Sequence, residues 1–257
     1  MMISITKNKY FIRAVKALLV IGFCLGLWEI CAVIVNSSYL LPRVSATLKA
    51  LIEIVSKSSS YSIVLTTIFR VLTGLALGVS SGVILATVCH FLPWINLFVS
   101  PILSIIKATP VASFIVLLMV SALSGHGIAI MIAFLMVLPI VWQNIMDAYA
   151  TLPKKLIEVS EIYNVSLKKR IKFLYLPHLY SFLAPAFITS IGLAWKSEIA
   201  AEIIVYTTNS IGQQINDYKQ FADETSTAFI FAWTFIIIVL SIVLESLTKY
   251  LLKRCKK

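Results

Sequence analysis

Long apolar stretches alternate with short polar segments along most of the chain. About 20 mostly apolar residues are enough for a helix to cross a bilayer, and six stretches are that long. They cover residues 17–36, 62–90, 94–122, 126–148, 178–205 and 228–250. The pattern predicts an all-α protein, a polytopic membrane helix bundle of about six transmembrane helices that forms a single domain over residues 1–257.

Pro101 and Pro110 interrupt the third of these stretches. A proline lacks the backbone donor that a helix needs, and membrane helices tolerate this where neighbouring protein or a cavity satisfies the freed carbonyl. We therefore expect the third span to be kinked or partly unwound, a geometry that is typical of segments that line a pathway.

The composition strengthens the membrane assignment. Hydrophobic residues make up 60% of the chain and charged residues 13%, whereas about a quarter of residues are charged in soluble domains. The mean hydropathy is +0.95. The sequence thus indicates an integral membrane protein, and the apolar stretches leave no room for a separate soluble domain.

Lysines and arginines are distributed unevenly among the polar connections. Fifteen lie before the first stretch, between the fourth and fifth, or from the end of the last stretch onwards, and four lie in the other connections. Cytoplasmic loops carry the excess of these residues, so both termini are predicted to be cytoplasmic. Attraction to anionic lipid explains the net charge of +11 without a nucleic-acid partner.

Small residues recur at every fourth position in the second stretch, at Gly74, Gly78, Gly82 and Ala86. Such a stripe lets the backbone of another helix approach closely, so we expect tight packing within the bundle. Arg70 continues the stripe by one step and places a cation beside the packed surface.

Charged side chains at membrane depth cost about 2.5 to 3.5 kcal/mol each, and we expect them to face protein or water. Two interpretations stay open for them: they line a translocation path, or they form ion pairs and struts. Glu198 and Glu202, four residues apart, share one helix face beside Trp195 and Lys196. The path candidates are Arg70, Lys107, Pro110, Trp195, Lys196, Glu198 and Glu202.

The chain contains neither a phosphate-binding G-x-x-x-x-G-K-[ST] loop nor a dinucleotide-binding GxGxxG motif. Its three histidines, His90, His126 and His178, have no cysteine or carboxylate at the spacing of metal ligands. The sequence therefore predicts no catalytic residue, no metal site and no bound cofactor on this chain.

The polar connection between the fourth and fifth stretches has the pattern of two short helices. Pro153 suits the first turn of a helix, and Leu156, Val159 and Tyr163 form one apolar stripe. Asn164 follows, and asparagine tolerates the left-handed conformation that closes a helix. We expect a tight turn at this asparagine.

Ser166 can cap a second helix, in which Leu167, Ile171 and Leu174 again form a stripe. The outer face, largely opposite this stripe, carries Lys168, Lys169, Arg170 and Lys172. Pro177 is expected to end this helix before the next span. One interpretation of this helix pair is a loop held by lipid headgroups, and another is a docking surface for a cytoplasmic partner. Attachment to membrane spans at both ends argues against DNA binding.

The same segment resembles the EAA loop of ABC importer permeases, which reads E-A-A, three residues, G, nine residues, I-x-L-P. Here Glu158-Val159-Ser160, Asn164 and Leu174-Tyr175-Leu176-Pro177 stand at those positions with every spacing kept. Other stretches are similar to the nitrate/sulfonate/taurine branch of these permeases. They are Trp28-Glu29, Leu41-Pro42-Arg43-Val44-Ser45, Thr67 to Gly82, Pro101, Pro110, Gly125-His126-Gly127, Asn144, Trp195-Lys196 and Ala201-Glu202.

The resemblance implies a type I ABC importer permease fold, with a coupling loop over about residues 149–177. It implies a dimer with the substrate path between two copies, two copies of an ATPase subunit that carry ATP and Mg, and an extracytoplasmic solute-binding protein. The loop residues implied to contact the ATPase are Glu158, Ser160, Glu161, Asn164, Leu176 and Pro177. Sulfonates, nitrate, bicarbonate and thiamine-precursor or flavin-like heterocycles stay open as solutes.

An ion-coupled secondary transporter or channel that uses Lys196, Glu198 and Glu202 is the alternative, and it would work without an ATPase. Such carriers often contain two repeated halves, and no convincing repeat is found in this chain. A membrane enzyme is a third possibility, against which the lack of clustered His, Asp or Cys argues.

Overall fold

The computed structural model describes residues 2–221 and 223–255, which form helices joined by short connections and contain no strand. This confirms the predicted all-α class. The helices are α1 Met2–Val35, α2 Val44–Ser56, α3 Ser58–Phe91, α4 Pro93–Ala108, α5 Val111–Met119, α6 Gly125–Ala150, α7 Lys154–Ile162, α8 Leu167–Arg170, a π-helix Ile171–Tyr175, α9 Leu176–Val205, α10 Ile211–Phe221 and α11 Glu224–Cys255.

Four helical segments within the described residues are long and apolar enough to cross a membrane. They are Ser58–Phe91, Gly125–Ala150, Leu167–Val205 and Thr225–Arg254. The pair α4 and α5 provides a fifth crossing if the two helices form one span. The first predicted span lies in α1, whose apolar part Leu19–Val35 is shorter than these four segments.

The third predicted span is broken between α4 and α5, which are bent by 101°. Pro101 lies inside α4 without ending it, and the break falls at Thr109 and Pro110. Thr109 has extended backbone angles, φ −80° and ψ 132°, because the ring of the following proline disfavours the helical conformation. The predicted interruption of this span is thereby confirmed.

The helices group into two compact units, Met1–Tyr61 with Gln214–Ile236, and Ser62–Gln213 with Ile237–Lys257. In the first unit, Trp28 Nε1 donates to the Pro42 carbonyl at 3.1 Å, and the Val44 amide donates to Glu29 Oε2 at 2.9 Å. These bonds fix the chain between α1 and α2. The single domain expected over the whole chain stays a prediction.

In the second unit, α3 packs closely on α6 along the glycine stripe. A methyl group built on Gly74, Gly78 or Gly82 would lie only 2.5, 2.6 or 2.9 Å from the Cβ atom facing it. The facing residues are Ala133, Val137 and Val141, again four apart. The tight packing predicted from the small residues is confirmed, and α6 is the partner helix.

The expectation that Pro177 ends the second helix of the polar connection is wrong. The segment α8, the π-helix and α9 run as one continuous helix from Leu167 to Val205. The Leu176 amide bonds to the Ile171 carbonyl, five residues back, so the helix widens beside the proline. Because Pro177 stands in the first turn after this widening, its missing N–H does not stop the helix.

Candidate functional site

The polar connection, residues 153–177, folds as a hairpin of α7 and the first part of the continuous helix that begins with α8. We call it the 153–177 hairpin. Asn164 closes α7 in the left-handed conformation, with φ 49°, as predicted. The Val165 amide donates to the Ser160 carbonyl and the Asn164 amide to the Glu161 carbonyl, both at 2.9 Å. This is the bonding pattern of a Schellman turn, so the direction of the chain after α7 is determined by backbone bonds.

Arg170 braces the same turn. Its Nε donates to the Val165 carbonyl at 3.0 Å, and its Nη1 lies 3.0 Å from Glu161 Oε1. The sequence pattern placed Arg170 with the basic residues of the outer face, whereas the structure points it back across the turn. Ser166 is at the start of α8 as predicted, but its side chain makes no capping hydrogen bond.

The apolar side of this hairpin is not covered by the described part of the chain. Leu156 and Val159 are about half exposed, and Tyr163 is 76% exposed. Glu158, Leu176 and Pro177 are also exposed. Ser160 is half-buried and donates to the Ile157 carbonyl at 2.6 Å. The stripe predicted from the sequence thus forms an accessible surface beside acidic and basic groups.

A second group of polar residues lies deep in the helix bundle. Arg70 is 2% exposed and Glu202 is fully buried, and Arg70 Nη1 lies 2.5 Å from Glu202 Oε1. Thr67 Oγ1 donates to the same oxygen at 2.9 Å, and the Gly212 amide donates to Oε2 at 3.2 Å. We call these four residues the Arg70–Glu202 cluster, which joins α3, α9 and α10.

The cluster also holds the turn between α9 and α10. Arg70 Nη2 donates to the carbonyls of Thr208 and Asn209 at 3.0 and 3.1 Å. A methyl group on Gly212 would lie 2.5 Å from the Glu202 carbonyl carbon, so only glycine permits this approach. These contacts favour the strut interpretation of Arg70 and Glu202 over a place in the wall of a path.

Of the polar residues 195–202, the structure brings together the carboxyl groups of Glu198 and Glu202, as predicted from their spacing, and separates the others. Trp195 is buried and its Nε1 donates to the Ile237 carbonyl at 3.2 Å, while Lys196 is exposed. Glu198 is fully buried, and its carboxyl group lies beside that of Glu202. Adjacent positions therefore face different surroundings, as the rotation of a helix requires.

Lys107 has a different environment from the buried acids. It is exposed in the last turn of α4, two residues before the break, and it lines a cavity of about 220 Å³. The other walls come from α6 and α9, including Met136, Pro139 and Leu193. Pro110 begins α5 directly after the break. Of the proposed path residues, Lys107 thus has the geometry of a group that lines a cavity.

Two features of the buried polar site were not predicted from the sequence: the residues that complete the Arg70–Glu202 cluster, and the residue that ends α9. Thr67 and Gly212 complete the Arg70–Glu202 cluster, although the spacing Thr67-x-x-Arg70 was a clue that both side chains lie on one face of α3. Tyr206 ends α9 in the left-handed conformation, with φ 56°. An aromatic residue gives no compositional indication of that geometry.

Comparison with known proteins identifies one family. A search of curated proteins finds no match. The family model described as binding-protein-dependent transport system inner membrane component matches residues 74–257, which is well over half of the chain. The matched segment includes the glycine stripe, the broken span and the 153–177 hairpin. The protein therefore belongs to the family of binding-protein-dependent transport system inner membrane components.

Proposed function

We propose that this chain is the permease subunit of an ATP-driven ABC importer and transmits ATP hydrolysis from a separate ATPase through the 153–177 hairpin. The family consists of membrane components of ABC importers and is not a catalytic family. The observation that carries the proposal is the hairpin itself. It is braced internally by the Asn164 turn and by Arg170, yet its apolar stripe is exposed.

These two properties are what a coupling element needs. An exposed amphipathic helix can insert into a groove of a partner, where its apolar side is covered. A braced turn then transmits displacement instead of absorbing it. The continuous helix Leu167–Val205 supports this role, because it connects the hairpin directly to a membrane-spanning segment.

The partners in this proposal are two ATPase copies that hold ATP and Mg, an extracytoplasmic solute-binding protein and a second permease copy. Both termini and the hairpin lie in the cytoplasm, where the excess of lysine and arginine belongs. The broken span with Lys107 and Pro110 contributes to the path. Support for the path comes from the cavity at Lys107, since a cation at membrane depth more often serves function than packing.

Within the family, we assign the chain to the nitrate/sulfonate/taurine type. Two sequence stretches that resemble this branch, Trp28-Glu29 and Leu41 to Ser45, are bonded to each other through Trp28 to Pro42 and Val44 to Glu29. Residues 14 and 15 positions apart thus act as one structural unit. This pairing gives a physical reason for the two stretches to occur together.

The proposal is tested by coexpression of the chain with candidate ATPases, followed by copurification and uptake measurements in vesicles. We expect Glu158→Lys to lower ATPase copurification and ATP-dependent uptake. Asn164→Gly is the matched control in the same hairpin, because glycine adopts the left-handed conformation without strain. Asn164→Pro should abolish coupling, since proline cannot adopt a positive φ.

Two results would contradict the proposal. One is uptake by the chain alone that follows an ion gradient and persists after ATP depletion, which is the behaviour of a secondary transporter. The other is an intact complex with unchanged uptake when Glu158→Lys and Asn164→Pro are combined.

A further inference from the structure

A groove of about 640 Å³ lies between the first half of α9 and the end of α11. Its long wall is one helix face, formed by Lys172, Leu176, Tyr180 and Ala184 at every fourth position, and Leu252 of α11 stands opposite. The volume lies in the range of sites that bind small organic ligands, about 300 to 1,000 Å³. The groove is thus large enough for a substantial part of an amphiphilic molecule.

The lining of the groove is charged at one end and mainly apolar along the rest of its length. Lys172, a residue of the 153–177 hairpin, stands at one end of the groove. Leu176, Ala184, Pro185 and Leu252 make most of the rest apolar, and Tyr180 and Ser181 add two hydroxyl groups. Among the described residues, no carboxylate lies within ion-pair distance of Lys172, and its ammonium lies 5.4 Å from the Phe173 ring. The groove therefore offers one cation without a carboxylate partner at one end and a mainly apolar surface along the rest of its length.

The position in the fold narrows the class of ligand. Lys172 lies in the basic hairpin, in the first part of the helix Leu167–Val205, and Leu252 is followed by Lys253 and Arg254 in α11. Basic side chains at one end of neighbouring membrane helices mark the level of the lipid headgroups, and basic pockets between helices there bind anionic lipid. A soluble anion would have no use for the apolar part of the groove.

We propose that this groove binds one anionic phospholipid, with the phosphate at Lys172 and an acyl chain along Ala184, Pro185 and Leu252. A single cation next to anionic lipid gives about a fivefold preference over a zwitterionic lipid. The inference goes beyond the transport function and does not depend on it, because the site needs neither ATP nor the ATPase.

The test is lipid binding to the purified full-length chain, measured by native mass spectrometry with phosphatidylglycerol and phosphatidylcholine of identical acyl chains. We expect one tightly retained phosphatidylglycerol. Lys172→Gln should weaken it about fivefold and leave phosphatidylcholine unchanged. Lys168→Gln, which alters an exposed lysine of the same hairpin outside the groove, is the matched control. Ala184→Trp should fill the apolar part and remove the bound lipid altogether.

Four outcomes would overturn the inference. Equal retention of the two lipids would mean that the headgroup charge is not recognised. Equal losses in Lys168→Gln and Lys172→Gln would indicate diffuse attraction by the basic hairpin. Competition by soluble glycerol phosphate would indicate a site for a free anion. Efficient disulfide formation between two copies that carry Ser181→Cys would show that a second copy of the chain covers the groove.

Discussion

Arg170 Nη1 lies 3.0 Å from Glu161 Oε1, across the turn that separates the two helices of the 153–177 hairpin. The pair is partly exposed, with side-chain exposures of 20% for Arg170 and 60% for Glu161. A pair in such a position contributes about 0.2 to 1 kcal/mol at most to the stability of the whole protein. Its importance therefore lies in the local shape of the hairpin and not in the free energy of unfolding.

Replacement of Arg170 should loosen the hairpin without unfolding the protein. In Arg170→Gln the bonds to Val165 and Glu161 are lost, so residues 163–171 should become more sensitive to limited proteolysis. We expect the thermal unfolding midpoint to stay close to that of the wild type, and ATP-dependent uptake to fall. Lys168→Gln is the control, because it removes the same charge from an exposed position of the same hairpin. Equal proteolysis of the two variants would contradict the bracing role.

The two buried glutamates of α9 should respond very differently to removal of their charge. Glu202→Gln leaves Arg70 buried without a counter-charge, and breaking such a pair costs about 3 to 5 kcal/mol. Glu198→Gln leaves the Arg70–Glu202 ion pair in place, keeps a polar side chain beside Glu202, and should be tolerated. Yield of monodisperse protein and the thermal unfolding midpoint in detergent measure the difference.

The double variant Arg70→Met with Glu202→Met sharpens this test. If an uncompensated charge causes the damage, the double variant should be more stable than Glu202→Gln, because it removes both charges together. If Glu198→Gln and Glu202→Gln lower the unfolding midpoint equally, loss of the Arg70–Glu202 ion pair is not the cause of the instability.

A methyl group at Gly78 should force α3 and α6 apart. The added Cβ atom would meet Val137 Cβ at 2.6 Å, and overpacking of this kind costs about 1 to 3 kcal/mol. Gly192→Ala is the matched control, because a methyl group there meets no atom within 4 Å and removes a flexible residue from a helix. We expect Gly78→Ala to lower the unfolding midpoint and Gly192→Ala to hold or raise it, and equal midpoints of the two variants would contradict the close approach of α3 and α6 at Gly78.

The start of α11 should respond to acid through Asp223. Hydrogen bonds from the Ser226 side chain, from the Ser226 amide at 2.5 Å and from Thr225 Oγ1 at 2.9 Å lower the pKa of its carboxyl group below the ordinary 3.8. Because the folded pKa is the lower one, the stabilisation is complete above pH 3.8 and is lost as the pH falls through the folded value.

The measurement is the difference in unfolding midpoint between the wild type and Asp223→Ala over an acidic pH series. This difference should shrink as the pH falls. Asp223→Asn keeps a capping side chain that does not titrate, so its difference from Asp223→Ala should stay constant with pH. If the difference in unfolding midpoint between the wild type and Asp223→Ala does not change with pH, the Asp223 carboxylate does not stabilise the start of α11.

The sequence predicted what depends on local pattern. Apolar length identified the membrane helices, four-residue spacing of glycines identified the packed stripe, and the conformational tolerance of Asn164 identified the turn. Each of these features is determined by residues close together in the chain. The break at Pro110 belongs with them, because it follows from the steric restriction on a single residue, Thr109.

What could not be predicted depends on contacts between distant segments. Arg70 and Glu202 are 132 positions apart, and their pairing requires the relative register of two helices. The basic pattern of the hairpin likewise did not reveal that Arg170 turns inward. The continuation of the helix past Pro177 required a π-helical turn, for which residues 171–175 carry no distinctive composition. Tertiary packing decides each of these cases.

The helix from Leu167 to Val205 has 39 residues and is therefore about 58 Å long, nearly twice the thickness of the hydrocarbon core. One end is continuous with the hairpin, while the other is held by Arg70 through Glu202. Besides this ion pair, packing against α6 holds α9 along its length. We therefore expect a displacement of the hairpin to be greatest at the hairpin end of the helix and least beside Glu202.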